Sequence, residues 1–209
     1  MKYLKLNWFF LVVFFSSSAA NSATVLPLNL DELTQSAQDV FVGTCLDNKT
    51  VMDSATQMMV TYTTFQVDES LKGDLSGTHT IKQVAAKATT DDMLTTFPSV
   101  PEFIIDQQYV VFLPTPSELG FASPVGLKQG AFDIIKENQH AVVSNGRSFT
   151  EMLPDNAAAP AETGQVTVTP VQRSKQSNQS FSTSEDETDQ QKMPLSEFLD
   201  IIKQMEVKP

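Results

Sequence analysis

Residues Gln107 to Pro114 read QQYVVFLP, an unbroken apolar run from Tyr109 to Leu113 that is stopped by Pro114, with Pro116 just beyond. The run has the length of a β-strand. Successive side chains of a strand point to opposite faces, so an unbroken apolar run requires a central position with cover on both sides. Residues 107–114 are therefore expected to form the innermost strand of a sheet.

The segments around it supply that sheet. PLNLDELTQSAQDVF offers Asn29 as a cap, Asp31 and Glu32 in a first turn, and Leu30, Leu33 and Ala37 on one face, which predicts a short helix. Two runs rich in Val, Phe and Thr follow, residues 39–52 and 58–74, joined by the polar turn DSATQ; they predict a β-hairpin. In the second run Thr63, Phe65 and Val67 share a face, so Phe65 and Val67 are expected to point into the core. The alternation falters at Asp68, Glu69 and Ser70 before Leu71 restores it, and Lys72, Gly73 and Asp74 carry turn chemistry: a strand that ends in a bulge and a turn. Residues 78–85 predict another strand. Residues 86–105 lack a clean period and are broken by Pro98 and Pro101, so they are expected to be a long connection and a functional loop. Residues 123–137 and 140–149 predict two further strands joined near Asn138 and Gln139, with Gly126 and Gly130 at tight bends or bulges. Short strands at close spacing without helices between them favour a barrel or sandwich over a parallel sheet. The expected fold is mainly β: a small closed or partly open antiparallel β-barrel with a short N-terminal helix and a C-terminal amphipathic helix.

The first residues read differently. Lys2 and Lys5 precede the apolar run Trp8 to Phe15, and small polar residues follow, which predicts a secretory signal peptide over residues 1–23. The apolar run is about half of the roughly 20 residues needed to cross a bilayer, which disfavours an anchor. Residues 24–150 are then the β domain. Residues 151–192 carry almost no large apolar side chain, too little to offset their ordering entropy, and predict a disordered polar and acidic linker, with TVTPV (167–171) as a short edge strand at most. Residues 193–209 resume a helical period, with Leu195, Phe198, Leu199, Ile202 and Met205 on one stripe. A free helix of that length is marginal in water, so it is expected to dock, on its own barrel or on a partner.

Charge and chemistry narrow the function. The chain has 14 basic and 25 acidic side chains; losing Lys2 and Lys5 with the leader brings its net charge from −11 to about −13. Such a field repels phosphate backbones and anionic headgroups, so no nucleic-acid partner is expected. Cys45, the single cysteine, cannot form an internal disulfide and sits within a predicted strand, where a buried, inert thiol is expected. His79 and His140 are the two histidines, 61 positions apart, without metal-ligand spacing. The acidic run 184–189 lacks the glycine and alternating ligands of a calcium loop. No nucleophile elbow and no glycine-rich phosphate loop occurs, and neither metal nor cofactor is expected. Ser123 or Ser144 with His140 is the arrangement left open for nucleophilic catalysis. Asn48 and Asn178 stand in N-x-[ST] triplets, acceptors in a glycosylating secretory route. SNGRS (144–148) reads as a hairpin turn, or as an exposed recognition loop.

The order QDVFVG, TYTTFQVDESLKGD, QYVVFL and VGLKQGAFDI resembles a group of uncharacterised exported bacterial domains, over about residues 29–149. It implies the fold and carries no catalytic residues. More loosely, the layout is similar to the OB-type barrel of netrin-like modules and tissue inhibitors of metalloproteinases, which implies a protein-binding barrel. The cysteine framework of those inhibitors is missing here, as is their N-terminal cysteine. The leading expectation is an exported, noncatalytic binding module, periplasmic or extracellular, with a protein partner and no stable membrane anchor. The alternatives are a secreted protease inhibitor of netrin-like type and a secreted hydrolase using His140 or His79. Contacts are expected from Phe97, Val100 and Phe103, whose other reading is a lid packed over the end of the barrel.

Overall fold

The computed structural model describes residues 26–90, 93–137, 140–153 and 190–206. The expected leader, residues 154–189 of the expected linker, TVTPV, Asn178 and the acidic run 184–189 lie outside the described residues. Helix α1 (Leu30–Ser36) starts at a capping box, in which the Asn29 side chain accepts from the Glu32 amide and the Glu32 carboxylate accepts from the Asn29 amide. The strands are β1 (Asp39–Met52), β2 (Met59–Lys72), β3 (Thr78–Val84), β4 (Lys87–Thr90), β5 (Met93–Thr96), β6 (Gln108–Leu113), β7 (Ala131–Glu137), β8 (His140–Ser144) and β9 (Met193–Pro194). Helices α2 (Phe149–Met152) and α3 (Leu195–Glu206) flank β9 in sequence.

Seven strands form one antiparallel sheet in the order β3-β2-β1-β6-β7-β8-β9, so the QYVVFL strand is its middle member. Both of its faces are covered. Val110 and Phe112 join Val40 and Val42 of β1, Phe132 and Ile134 of β7, and Leu30, Leu33, Phe149, Phe198 and Ile202 of the helices in a first core. Tyr109, Val111 and Leu113 join Phe41 and Cys45 of β1, Phe65 and Val67 of β2, Ile81 of β3, and Phe103 in a second core. The paired partners Val40 and Phe112, and Phe41 and Val111, show the alternation directly.

Strand β2 serves both cores because its register slips. Val42 pairs with Glu69 and Gly43 with Val67, leaving Asp68 as an extra residue; Phe41 pairs with Ser70 and Val40 with Lys72, leaving Leu71. Across these bulges Leu71 enters the first core, while Phe65 and Val67 stay in the second. The faltering alternation at Asp68–Ser70 is thus the bulged part of one continuous strand.

Strands β3 and β9 are the two edges, and no pairing joins them among the described residues, so the sheet is open. The β3 edge is partly covered. Phe121 bridges to Lys82, and the Ala122 amide donates to the Lys82 carbonyl at 2.9 Å. The Lys82 ammonium donates to Asp53 and to the Leu119 carbonyl, each at 3.0 Å, and lies 4.5 Å from the centre of the Phe121 ring. An edge so tied presents fewer free backbone groups to another strand.

Three segments depart from expectation. Residues 86–105 hold a short hairpin, β4 with β5, because strands of four residues are too brief for a period to register. The strand expected over 123–137 begins only at Ala131: Gly126 and Leu127 both take left-handed backbone (φ +61° and +60°), and Leu127–Gly130 winds one 3-10 turn. The strand expected over 140–149 ends at Ser144, and Phe149–Met152 turns into helix α2. The packed unit also reaches past residue 150 and resumes before residue 193. Met152 and Met193 are buried, the Phe149 amide donates to the Gln190 carbonyl at 2.9 Å, and β9 pairs with β8. Isolated methionines in polar surroundings give no periodic signal.

Helix α3 lies on the first core, with Phe198 and Ile202 fully buried and the Phe198 ring 4.7 Å from Phe132. Phe198→Ala should cost roughly 3–5 kcal/mol, the usual range for emptying a buried aromatic site. Chemical denaturation of the two proteins checks this; a change below about 1 kcal/mol would mean that α3 is not part of the cooperative unit.

Candidate functional site

The segment from Phe97 to Gln107 runs from the β4–β5 hairpin to β6 and is fixed through its backbone. The Val100 amide donates to the Phe97 carbonyl at 3.0 Å, and the Ser99 carbonyl accepts from the Lys128 amide at 3.0 Å. The Pro101 carbonyl accepts from Gln83 Nε2 and the Phe103 carbonyl from Asn48 Nδ2, both at 2.7 Å. The Ile104 amide donates to the Tyr109 hydroxyl at 2.7 Å. Ile104–Gln107 closes a β-turn, with the Gln107 amide on the Ile104 carbonyl at 3.1 Å and Asp106 at φ +68°. One positive φ at the third position is the type II pattern, normally filled by glycine or asparagine. Backbone bonds between Asp106 and Cys45, and between Cys45 and Gln107, then lock the turn to β1 at 2.8 and 3.0 Å.

Only one of the three expected contact residues is on the surface. Phe97 is 44% exposed, whereas Val100 and Phe103 are buried. Phe103 packs edge-on against Phe65 and Tyr109, with ring centres 4.9 Å apart in each pair, and so acts as the lid of the second core. Sequence reasoning passed over Ile104 and Ile105, which are 63% and 49% exposed at the tip of the fixed turn. Leu46, the extra residue of a third bulge between Cys45 and Asp47, adds another exposed apolar side chain beside it. The signal was there: two isoleucines followed by an Asp-Gln turn.

Below this segment lies a polar cleft of about 210 Å³, lined among others by Thr50, Thr61, Thr63, Gln83, Lys87 and Glu102. Thr50 and Thr61 share a hydrogen bond, Thr63 donates to Asn48, and Lys87 pairs with Glu102 at 2.9 Å. The Asn48 amide, read as a glycosylation acceptor, is committed inside this network. Gln83 is buried, and its Oε1 has no partner among the described residues.

The remaining candidates are not brought together. His79 is half-buried against the Phe41 ring, at 6.1 Å between centres, and His140 is exposed at the start of β8. Among the described residues neither histidine hydrogen-bonds to a serine, a cysteine or a carboxylate, and Ser144 Oγ accepts from the Gly146 amide. Cys45 is buried, which pushes its thiol up, with a weak contact from Asn48 Nδ2 at 3.6 Å. Burial likewise pushes the Tyr109 hydroxyl up to about 12. Among the described residues no group of three His, Cys, Asp or Glu side chains could hold a metal, and no helix is long and apolar enough to cross a membrane. No family model, curated protein or solved structure matches the chain.

Asp133, on β7 beside Tyr109, is held above the usual carboxylate range by burial and receives one long bond, from Gln107 Nε2 at 3.2 Å. A folded-state pKa above the unfolded value means that the native chain holds the proton longer. Stability therefore falls as pH rises from the unfolded to the folded value. Asp133→Asn keeps the acceptor and removes the charge, so it should raise the thermal midpoint at pH 7. The gain should vanish at a pH low enough to protonate the carboxyl in both states; a variant no more stable than wild type at pH 7 contradicts this.

Proposed function

We propose that the protein is an exported, noncatalytic binding module that engages a protein partner through the Ile104–Ile105 turn, with Phe97 and Leu46 as flanking contacts. The observation that carries the reading is the conflict at that turn. Two large apolar side chains stand in solvent on a turn held by the Tyr109 hydroxyl and by backbone bonds to Cys45. Exposed apolar groups on rigid backbone lose little entropy on being covered and gain the usual burial energy. A partly open OB-type barrel is the architecture this reading assigns to the curved sheet and its lid. Export rests on the N-terminal Lys and apolar pattern, and the exclusion of nucleic acid on the net charge of −11.

A protease inhibitor is the specific form of this function that the same observation favours, because a rigid projecting turn is the shape that enters an active-site cleft. It differs from netrin-type inhibition in needing no N-terminal cysteine.

The test is the double substitution Ile104→Asp with Ile105→Asp, both at exposed positions. The thermal midpoint should stay within about 2 °C of wild type, since surface substitutions cost little. Crosslinked capture from envelope and secreted fractions should lose its principal partner by about tenfold or more, as expected when central apolar contacts go. Equal capture by both proteins would dispose of the proposal. Wild-type inhibition of one extracellular protease from a panel, lost in the variant, would select the inhibitor form.

A further inference from the structure

Two sequence motifs that play no part in the turn, VGLKQG and SNGRS, meet at one place. Gly126 and Leu127 both take left-handed backbone, and a leucine there costs roughly 1–2 kcal/mol that the surroundings must offset. The double turn sends Lys128 and Gln129 to the same side as Arg147, where they line a cleft of about 420 Å³ with Ser99 and the walls Pro27 and Pro98.

Gln129 organises the site. Its Oε1 accepts from the Leu28 amide and from Arg147 Nη1, both at 2.8 Å, and its Nε2 donates to the Leu26 carbonyl at 3.0 Å. Its backbone carbonyl accepts from Asn145 Nδ2 at 2.9 Å, and Asn145 Oδ1 in turn accepts from the Arg147 amide. Arg147 Nη1 also donates to the Leu28 carbonyl at 2.6 Å. One nitrogen of the guanidinium is thus fixed twice, which sets the plane of the group and leaves its other donors uncommitted among the described residues. Among the described residues Lys128 is held by its backbone alone, its amide donating to the Ser99 carbonyl at 3.0 Å. Among the described residues neither cation is in an ion pair, although acidic side chains outnumber basic ones by 25 to 14.

We infer that this cleft binds a carboxylate carried on a partly apolar body: a free organic acid or the C-terminal carboxylate of a peptide. A pre-oriented guanidinium in a cleft that Lys128 also lines matches a planar anion, and Pro27 and Pro98 suit an apolar body. The negative field of the chain opposes multiply charged anions more than singly charged ones, so a carboxylate is favoured over phosphate. The cleft shares no lining residue with the Ile104–Ile105 turn, and carboxylate binding here stands whether or not that turn engages a protein.

The test is titration of the full chain, at low ionic strength, with four probes: benzoate, inorganic phosphate, the tripeptide acetyl-Gly-Ala-Phe, and its C-terminal amide. The readout is the NMR shift of the Lys128 and Gln129 amides and of Arg147 Nε. Saturable shifts with benzoate or the free-acid peptide, and none with the amide, are expected; the tighter of the two tells the source. Lys128→Gln should weaken binding about two- to fivefold without changing the thermal midpoint, the effect of one exposed charge. Arg147→Lys, which keeps the charge and loses the fork, should weaken it about tenfold or more. Should Arg147→Lys disturb the fold, Lys128→Gln still decides. Absence of saturable shifts, equal binding of the amide, tighter binding of phosphate, or unchanged binding by Lys128→Gln would each overturn the assignment.

Discussion

Strand β6 is covered on both faces, and the rest of the structure follows from how that cover is provided. Its alternate side chains belong to different cores, so neither face can be left to water without exposing two or three large apolar groups. The helices close one face. On the other no helix takes part among the described residues, and the sheet and an aromatic lid provide the cover: β1, β2 and β3 contribute Phe41, Phe65 and Ile81, and Phe103 packs over them. The lid must come from a loop, and that loop must be held firmly enough to keep a phenylalanine in place.

The bulges make this possible. A straight antiparallel pair would keep each side of β2 in one core throughout. The extra residues at Asp68 and Leu71 let the strand twist between its two ends, so that one end packs under the helices and the other under the lid. The same twist carries the end of β2 toward α3, where Lys72 and Lys203 meet Glu206 and Glu69. Lys203, Glu69 and Glu206 are exposed and Lys72 is half-buried, and the value of these pairs lies in registry more than in energy.

The sequence was legible where burial imposes a period. The central strand, the face carrying Phe65 and Val67, the α1 cap and the stripe of α3 could be read because each repeats a pattern over several residues. What could not be read depends on single residues or on distant partners. Leu127 in left-handed backbone has no local signature, since leucine does not ordinarily adopt it, and so 123–130 passed for strand. Phe97, Val100 and Phe103 look alike as apolar residues among prolines; only the position of Phe65 and Tyr109 decides that Phe103 is a lid and Phe97 is surface. Gln129 carries no periodic signature, and four of its hydrogen bonds reach partners 16 to 103 positions away.

The 97–107 segment is fixed by its carbonyls and amides, with Phe103 as its main apolar anchor. Ser99 holds Lys128, Pro101 holds Gln83, Phe103 holds Asn48, and Ile104 is held by Tyr109; each of these bonds uses a loop backbone group. A loop fixed in this way can change its exposed side chains without changing its shape. Phe97, Ile104 and Ile105 are therefore not required by the fold, and an apolar residue that the fold does not require is poorly explained by stability. Polar residues at Ile104 and Ile105 would satisfy the same backbone, so the fold leaves their apolar character open, and the partner contact proposed for this turn is what would account for it.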